Sequence, residues 1–139
     1  MNQQTDISDM DYTDAIQARI NSLQRWRGHI EKAIKRANTI TTFTDIVQSI
    51  LGGHRYLFDN GVSFAIVQLD TGSRGTSVHI HIAGGTYEGM CEIEKIIETF
   101  ARAVGATKMT TLGRDGFKRR MRPHGWVPTK QTWFVKELN

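Results

Sequence analysis

Residues 77–90 read SVHIHIAGGTYEGM, and the fold turns on how this stretch is parsed. Val78, Ile80 and Ile82 alternate with His79 and His81, the period of two that makes a strand, with the three apolar residues expected on one face. Gly84 and Gly85 interrupt that alternation. From Met90 the apolar residues Ile93, Ile96, Ile97, Phe100 and Val104 recur at helical steps, and Gly105 stops the helix. Residues 107–112 then read as a second strand. Two strands joined through a helix of this length run parallel, so the helix covers one face of a sheet.

Working outward, residues 55–58 and 62–69 have strand character and flank Asp59, Asn60 and Gly61, where Asn and Gly supply the positive φ of a tight hairpin turn. A polar turn over residues 70–76 leads into the strand at 77–83. Upstream, Asp14 is a helix cap, followed by Ile16, Ile20, Leu23, Trp26, Ile30 and Ile34 at three- and four-residue spacing; Gly28 inside that helix costs about 1 kcal/mol against alanine. A second helix is expected from Thr42 or Thr44 as cap, through Phe43, Ile46, Val47 and Ile50, to Gly52 and Gly53. Downstream, residues 114–121 read as a short basic helix and 129–138 as a last strand carrying Trp133 and Val135. Residues 1–13 lack periodicity and are expected to form a flexible acidic leader, leaving 14–139 as a single domain.

A chain of 139 residues, 39% apolar, can bury one core. No run approaches the roughly 18–20 apolar residues that cross a bilayer, so no membrane role is expected. The single cysteine, Cys91, cannot form an internal disulfide and leaves no zinc framework, so no metal is expected. The net charge is +4, yet residues 1–14 hold four Asp and no Lys or Arg, so the rest of the chain is strongly basic. Such a body attracts nucleic acid, cofactor phosphates or acidic proteins alike.

The order helix, helix, hairpin, strand, helix, strand, helix, strand resembles the GNAT (Gcn5-related N-acetyltransferase) family, whose centre is a strand, a phosphate-binding turn, a helix and a diverging strand. Gly105-Ala106-Thr107, Gly113-Arg114-Asp115-Gly116-Phe117, His124-Gly125-Trp126 and Lys136-Glu137-Leu138 are similar to small GNAT-like proteins encoded by tailed bacteriophages. The resemblance implies an α/β fold with a mixed β-sheet and helices on both faces. Nothing before the long helix reads as the family's first strand, which is expected to be missing. It also implies a phage-encoded, catalytically degenerate protein, acting on a phage structural protein or a host protein, in the virion or the host cytoplasm. The alternative it implies is an active N-acetyltransferase using acetyl-CoA.

The candidate sites follow. Gly84, Gly85 and Gly89 are placed for cofactor binding, because glycine lets backbone N–H groups and a helix N-terminus approach a pyrophosphate. The family's Gln/Arg-x-x-Gly-x-Gly/Ala pattern is absent, however, and Glu88, Glu92 and Glu94 crowd the same helix end. His79 and His81 titrate near neutrality and are candidate catalytic bases, or else occupy the less apolar sheet face. The family's tyrosine on the helix after the diverging strand has no counterpart in residues 114–121. Arg114, Lys118, Arg119, Arg120 and Arg122, near Trp126 and Trp133, are candidates for nucleic-acid or partner binding, since charge and stacking rings together suit a single strand. A solvated helix face explains the same residues.

Overall fold

A computed structural model of the chain describes residues 3–37, 39–112, 118–129 and 136–138. Helix α1 (Gln3–Ala37) and helix α2 (Phe43–Leu51) precede a hairpin of β1 (Arg55–Asp59) and β2 (Ser63–Gly72). Strand β3 (Gly75–Gly85), helix α3 (Tyr87–Ala103) and strand β4 (Ala106–Thr111) follow, and then a single turn α4 (Lys118–Met121) continuing into a 3-10 turn at Arg122–His124. The four strands lie in the order β1-β2-β3-β4. The first two pairings are antiparallel and β3–β4 is parallel, as a hairpin followed by a helical crossover requires. Among the described residues no strand precedes α1.

Both faces of the sheet are covered. Leu23, Trp26 and Ile30 of α1, with Ile46 and Ile50 of α2, pack on Phe64, Ile66 and Ile82. On the opposite face Ile93, Ile97 and Ala101 of α3 pack on Ala65, Val67 and Val78. β2 is consequently buried on both sides from Ser63 to Val67. Trp26 stacks on Phe64 at 4.8 Å between ring centroids, and the Arg25–Asp59 ion pair, 3.0 Å, ties α1 to the hairpin turn.

Several expectations move. The first helix begins at Gln3, eleven residues before the expected cap Asp14, so most of the stretch read as a flexible leader is helical. Helix propagation from an anchored segment needs only one hydrogen bond per added residue, so a polar stretch without an apolar stripe still extends it. The expected turn at 70–76 shrinks to Ser73 and Arg74, because Gly72 and Gly75 pair and Gly75 takes φ +125°. In α3, Ile96 and Val104 are exposed rather than part of the buried stripe, since Ile93, Ile97 and Ala101 already fill the face toward the sheet. Most of the expected last strand, with Trp133 and Val135, and residues 113–117 lie outside the described residues; Lys136, Glu137 and Leu138 carry no strand pairing.

The alternation across His79 and His81 is also broken. Ile66 pairs with Ile82, but the next residue of β2, Val67, pairs with Ile80. His81 is therefore a one-residue bulge. Val78 and Ile80 face α3, while Ile82 faces α1, so the three do not share one face.

Candidate functional site

The pairing of β4 with β3 ends at Ile80 and Thr111, where the Thr111 hydroxyl donates to the Ile80 carbonyl at 3.0 Å. Beyond that point β3 continues from the bulge at His81 to Gly85 with, among the described strands, only β2 beside it. The parting of the two strands leaves a cavity of about 420 Å³. Ala65, Ile80, Ala83, Ile93 and Ile97 give it an apolar wall, and His81, Tyr87, Cys91, Glu94, Arg120 and His124 give it polar groups. Arg36, from the last turn of α1, reaches the same cavity from the other side of the sheet.

The two histidines of β3 differ in what surrounds them. His79 is half-buried and its Nδ1 lies 2.8 Å from the Thr110 hydroxyl, so one ring nitrogen is already engaged. His81 lines the cavity and has no hydrogen-bond partner among the described residues. Loss of water around its ring holds its pKa below the ordinary value, and the neighbouring positive charges of Arg55 and His79 push the same way. Burial likewise lowers His79, against the pull of Asp70. His81 is exposed, and its ring is accessible from the cavity.

The glycines at the end of β3 and in the first turn of α3 are required by contacts within the protein. A Cβ on Gly85, whose φ is +110°, would lie 2.4 Å from both the Ser63 Cα and the Val62 carbonyl oxygen, and one on Gly89 would lie 2.4 Å from the Ser63 hydroxyl. A Cβ on Gly84 would meet the Phe64 ring at 3.0 Å. The start of α3 is drawn against the hairpin turn by these close approaches. Asn60 completes the junction: its Nδ2 donates to the Gly89 carbonyl at 3.1 Å, and its Oδ1 accepts from the backbone N–H of Val62 and Ser63 and from the Ser63 hydroxyl. Thr86 caps α3 by accepting from the Gly89 N–H. The N–H groups of Tyr87 and Glu88, in the first turn, have no intrahelical acceptor and face solvent or a ligand.

Of the three glutamates near that helix end, only Glu94 lines the cavity, and its carboxylate accepts from the Trp126 indole N–H at 2.8 Å. Glu88 and Glu92 are exposed. The opposition to an anion at this helix end is therefore weaker than the sequence suggests.

A second cluster, invisible in the sequence, closes the α3 side of the cavity. The Tyr87 hydroxyl lies 2.9 Å from His124 Nε2, the Cys91 thiol lies 3.8 Å from the same nitrogen, and the Arg120 guanidinium sits 5.2 Å from the Tyr87 ring centroid. Partial desolvation and the adjacent Cys91 thiol raise the Tyr87 phenol above its usual value, against Arg120, so it stays protonated. Of the basic residues picked out for nucleic acid or a partner, Arg120 lines the cavity and Arg122 is exposed. Arg114 and the side chains of Lys118 and Arg119 lie outside the described residues. No group of three or more His, Cys, Asp or Glu suited to a metal occurs among the described residues, and no described helix is long and apolar enough to cross a membrane.

No protein-family model matches the chain, and no curated protein does. Solved structures do. A probable acetyltransferase shares 8% identity at a TM-score of 0.62, over 86% of this chain and 94% of the other. An aminoglycoside acetyltransferase from an uncultured soil metagenomic sample, in complex with sisomicin, shares 10% identity at a TM-score of 0.61, over 86% and 91%. A Trypanosoma brucei acetyltransferase shares 11% at 0.53, over 79% and 92%. At such identities the likeness is one of fold alone. Nothing in these comparisons bears on a phage origin, a virion or a host partner. The chain has a GNAT-like fold, a mixed sheet, four-stranded among the described residues, with helices on both faces.

Proposed function

We propose that the chain is an N-acetyltransferase using acetyl-CoA, with its site in the cavity where β4 parts from β3. The observation that carries this reading is the placement on one cavity of His81, which has no hydrogen-bond partner among the described residues, and a glycine-bounded helix N-terminus. The residues fit such a cofactor. Its phosphates suit the first turn of α3, with the Arg120 guanidinium beside it, and its apolar arm suits the wall made by Ala65, Ile80 and Ile97. When bound, the cofactor supplies an acetyl thioester, whose carbon–sulfur bond breaks as a carbon–nitrogen bond forms to the acceptor.

The chain's own residues would act on the acceptor. His81 accepts the proton that an ammonium must lose before nitrogen can attack, and passes it to solvent or to the departing thiolate. A depressed imidazole pKa keeps His81 in the form that can accept. The apolar wall excludes water from the thioester. The glycines Gly84, Gly85 and Gly89 contribute by letting α3 start close to β2, which fixes where its N-terminus points.

Thermal unfolding with and without acetyl-CoA tests the reading. A ligand at 100 times its Kd stabilises the native state by about 2.7 kcal/mol. A clear rise in Tm is expected, together with release of free thiol when an acceptor is added. An unchanged Tm at millimolar cofactor would rule the proposal out.

A further inference from the structure

Resting on that reading, we infer that the acceptor amine carries a carboxylate and that Arg36 binds it. The cavity is lined by residues from both faces of the sheet, Phe64 and Arg36 on one side and Ile93 and Ile97 on the other. On the α3 face stand the helix N-terminus, Tyr87 and Arg120; on the α1 face stand Arg36 and His81, the latter close enough to Arg55 and His79 to feel their charge. Arg55 in turn donates to Ser49 of α2, which fixes that side as the α1–α2 face. A cofactor anchored at the start of α3 occupies one mouth. The acceptor must come through the other.

The charge at that mouth is positive. The ion pairs among the described residues use Arg25, Arg27 and Arg102, and none uses Arg36. Among the described residues the single carboxylate lining the cavity, Glu94, belongs to the α3 side and is bonded to Trp126. A polycationic acceptor would bring its charges against a guanidinium that no described carboxylate compensates. An amine with a carboxylate places that group on the Arg36 fork, bidentate, and presents its nitrogen toward His81. Arg36 also lies in the last turn of α1, where a cation suits the helix dipole, and this would hold it in place without a ligand. The two roles separate experimentally, because lysine meets the dipole equally well but cannot reproduce the fork.

The test is thermal unfolding of the full chain, with and without saturating CoA. The probes are L-leucine, its amide L-leucinamide, and the polyamine spermidine. Leucine is expected to raise Tm, and the other two are not. In Arg36→Gln the leucine affinity should fall roughly tenfold or more while the CoA shift stays as in the wild type, and Arg36→Lys should recover only part of it. The inference is overturned if leucine gives no shift in either condition, if leucinamide or spermidine stabilises as well as leucine, or if Arg36→Gln binds leucine normally. Loss of the CoA shift in Arg36→Gln also overturns it, by assigning the guanidinium to the cofactor. A wild type that ignores CoA yet responds to leucine through Arg36 would remove the acetyltransferase reading and keep the anion site.

Discussion

His81 and His79 are two residues apart on one strand, and their chemistry differs because one is bonded to Thr110 and the other is not. Substituting His81 by alanine should lower kcat by about two orders of magnitude, the usual contribution of a general base, with little change in cofactor binding. His79→Ala should leave kcat near that of the wild type, and should move the pH–rate profile upward because the His79 charge that depresses His81 is gone. In the wild type, kcat/KM should rise with pH and level off at an apparent pKa below the ordinary histidine value, since only the neutral ring accepts a proton. The glycine substitutions belong to the same scale. Gly85→Ala combines a strained φ with a clash against β2 and should cost roughly 2–5 kcal/mol in urea unfolding. By contrast Gly53→Ala, with the same sign of φ but open space around it, should cost the strain alone. The sequence marked the histidines and glycines by type. It did not bring Tyr87, Cys91, Glu94, His124 and Trp126 together, because α3 meets the 3-10 turn across some thirty residues of chain and no local spacing announces that contact.

Helix α2 is the element most fully written in the sequence. Thr42 accepts from the Asp45 N–H and Asp45 accepts from the Thr42 N–H, a reciprocal cap that the Thr-x-x-Asp spacing allows. The Thr42 backbone donor, followed by its side chain, holds the Asp45 carboxyl below its usual pKa. Thr42→Ala should destabilise the fold by about 1 kcal/mol, readable as a lower urea midpoint with an unchanged slope. Strand β3 is the element least legible. Its apolar residues at 78, 80 and 82 look like one face because both faces of this sheet are buried, and a pattern of apolar positions cannot say which side each one serves. The start of α1 was hidden for a different reason, since propagation from the segment around Leu23 to Ile30 carries polar residues into a helix that periodicity alone would not place there.

For the whole molecule, the groups with shifted titration predict a loss of stability in acid. His79 and His81 have folded pKa values below those of the unfolded chain, so as pH falls through the ordinary histidine range the unfolded state takes up protons that the native state resists. Asp45 and Asp59 are also depressed; burial pushes Asp59 up, but the Gly61 N–H that donates to it and the charge of Arg25 outweigh that. Their contribution is present above the unfolded carboxylate pKa and is lost below it. Tm should therefore drop in two stages, first as pH falls through the ordinary histidine range and again through the ordinary carboxylate range, and the first stage should vanish in a His79→Ala, His81→Ala double variant. The layered architecture itself was legible, because the switch from period two to helical period at residues 84–90 fixes the crossover and the Asn-Gly turn fixes the hairpin. The bulge at His81 carries one more consequence, which concerns chain length. Removing that residue would let Ile80 and Ile82 follow one another opposite Val67 and Ile66 in an unbroken ladder, each still facing its own core. The two cores do not need a residue at position 81. A chain shortened by that single residue should fold, with a Tm equal to or above that of the full-length protein, and should have lost its acetyl transfer.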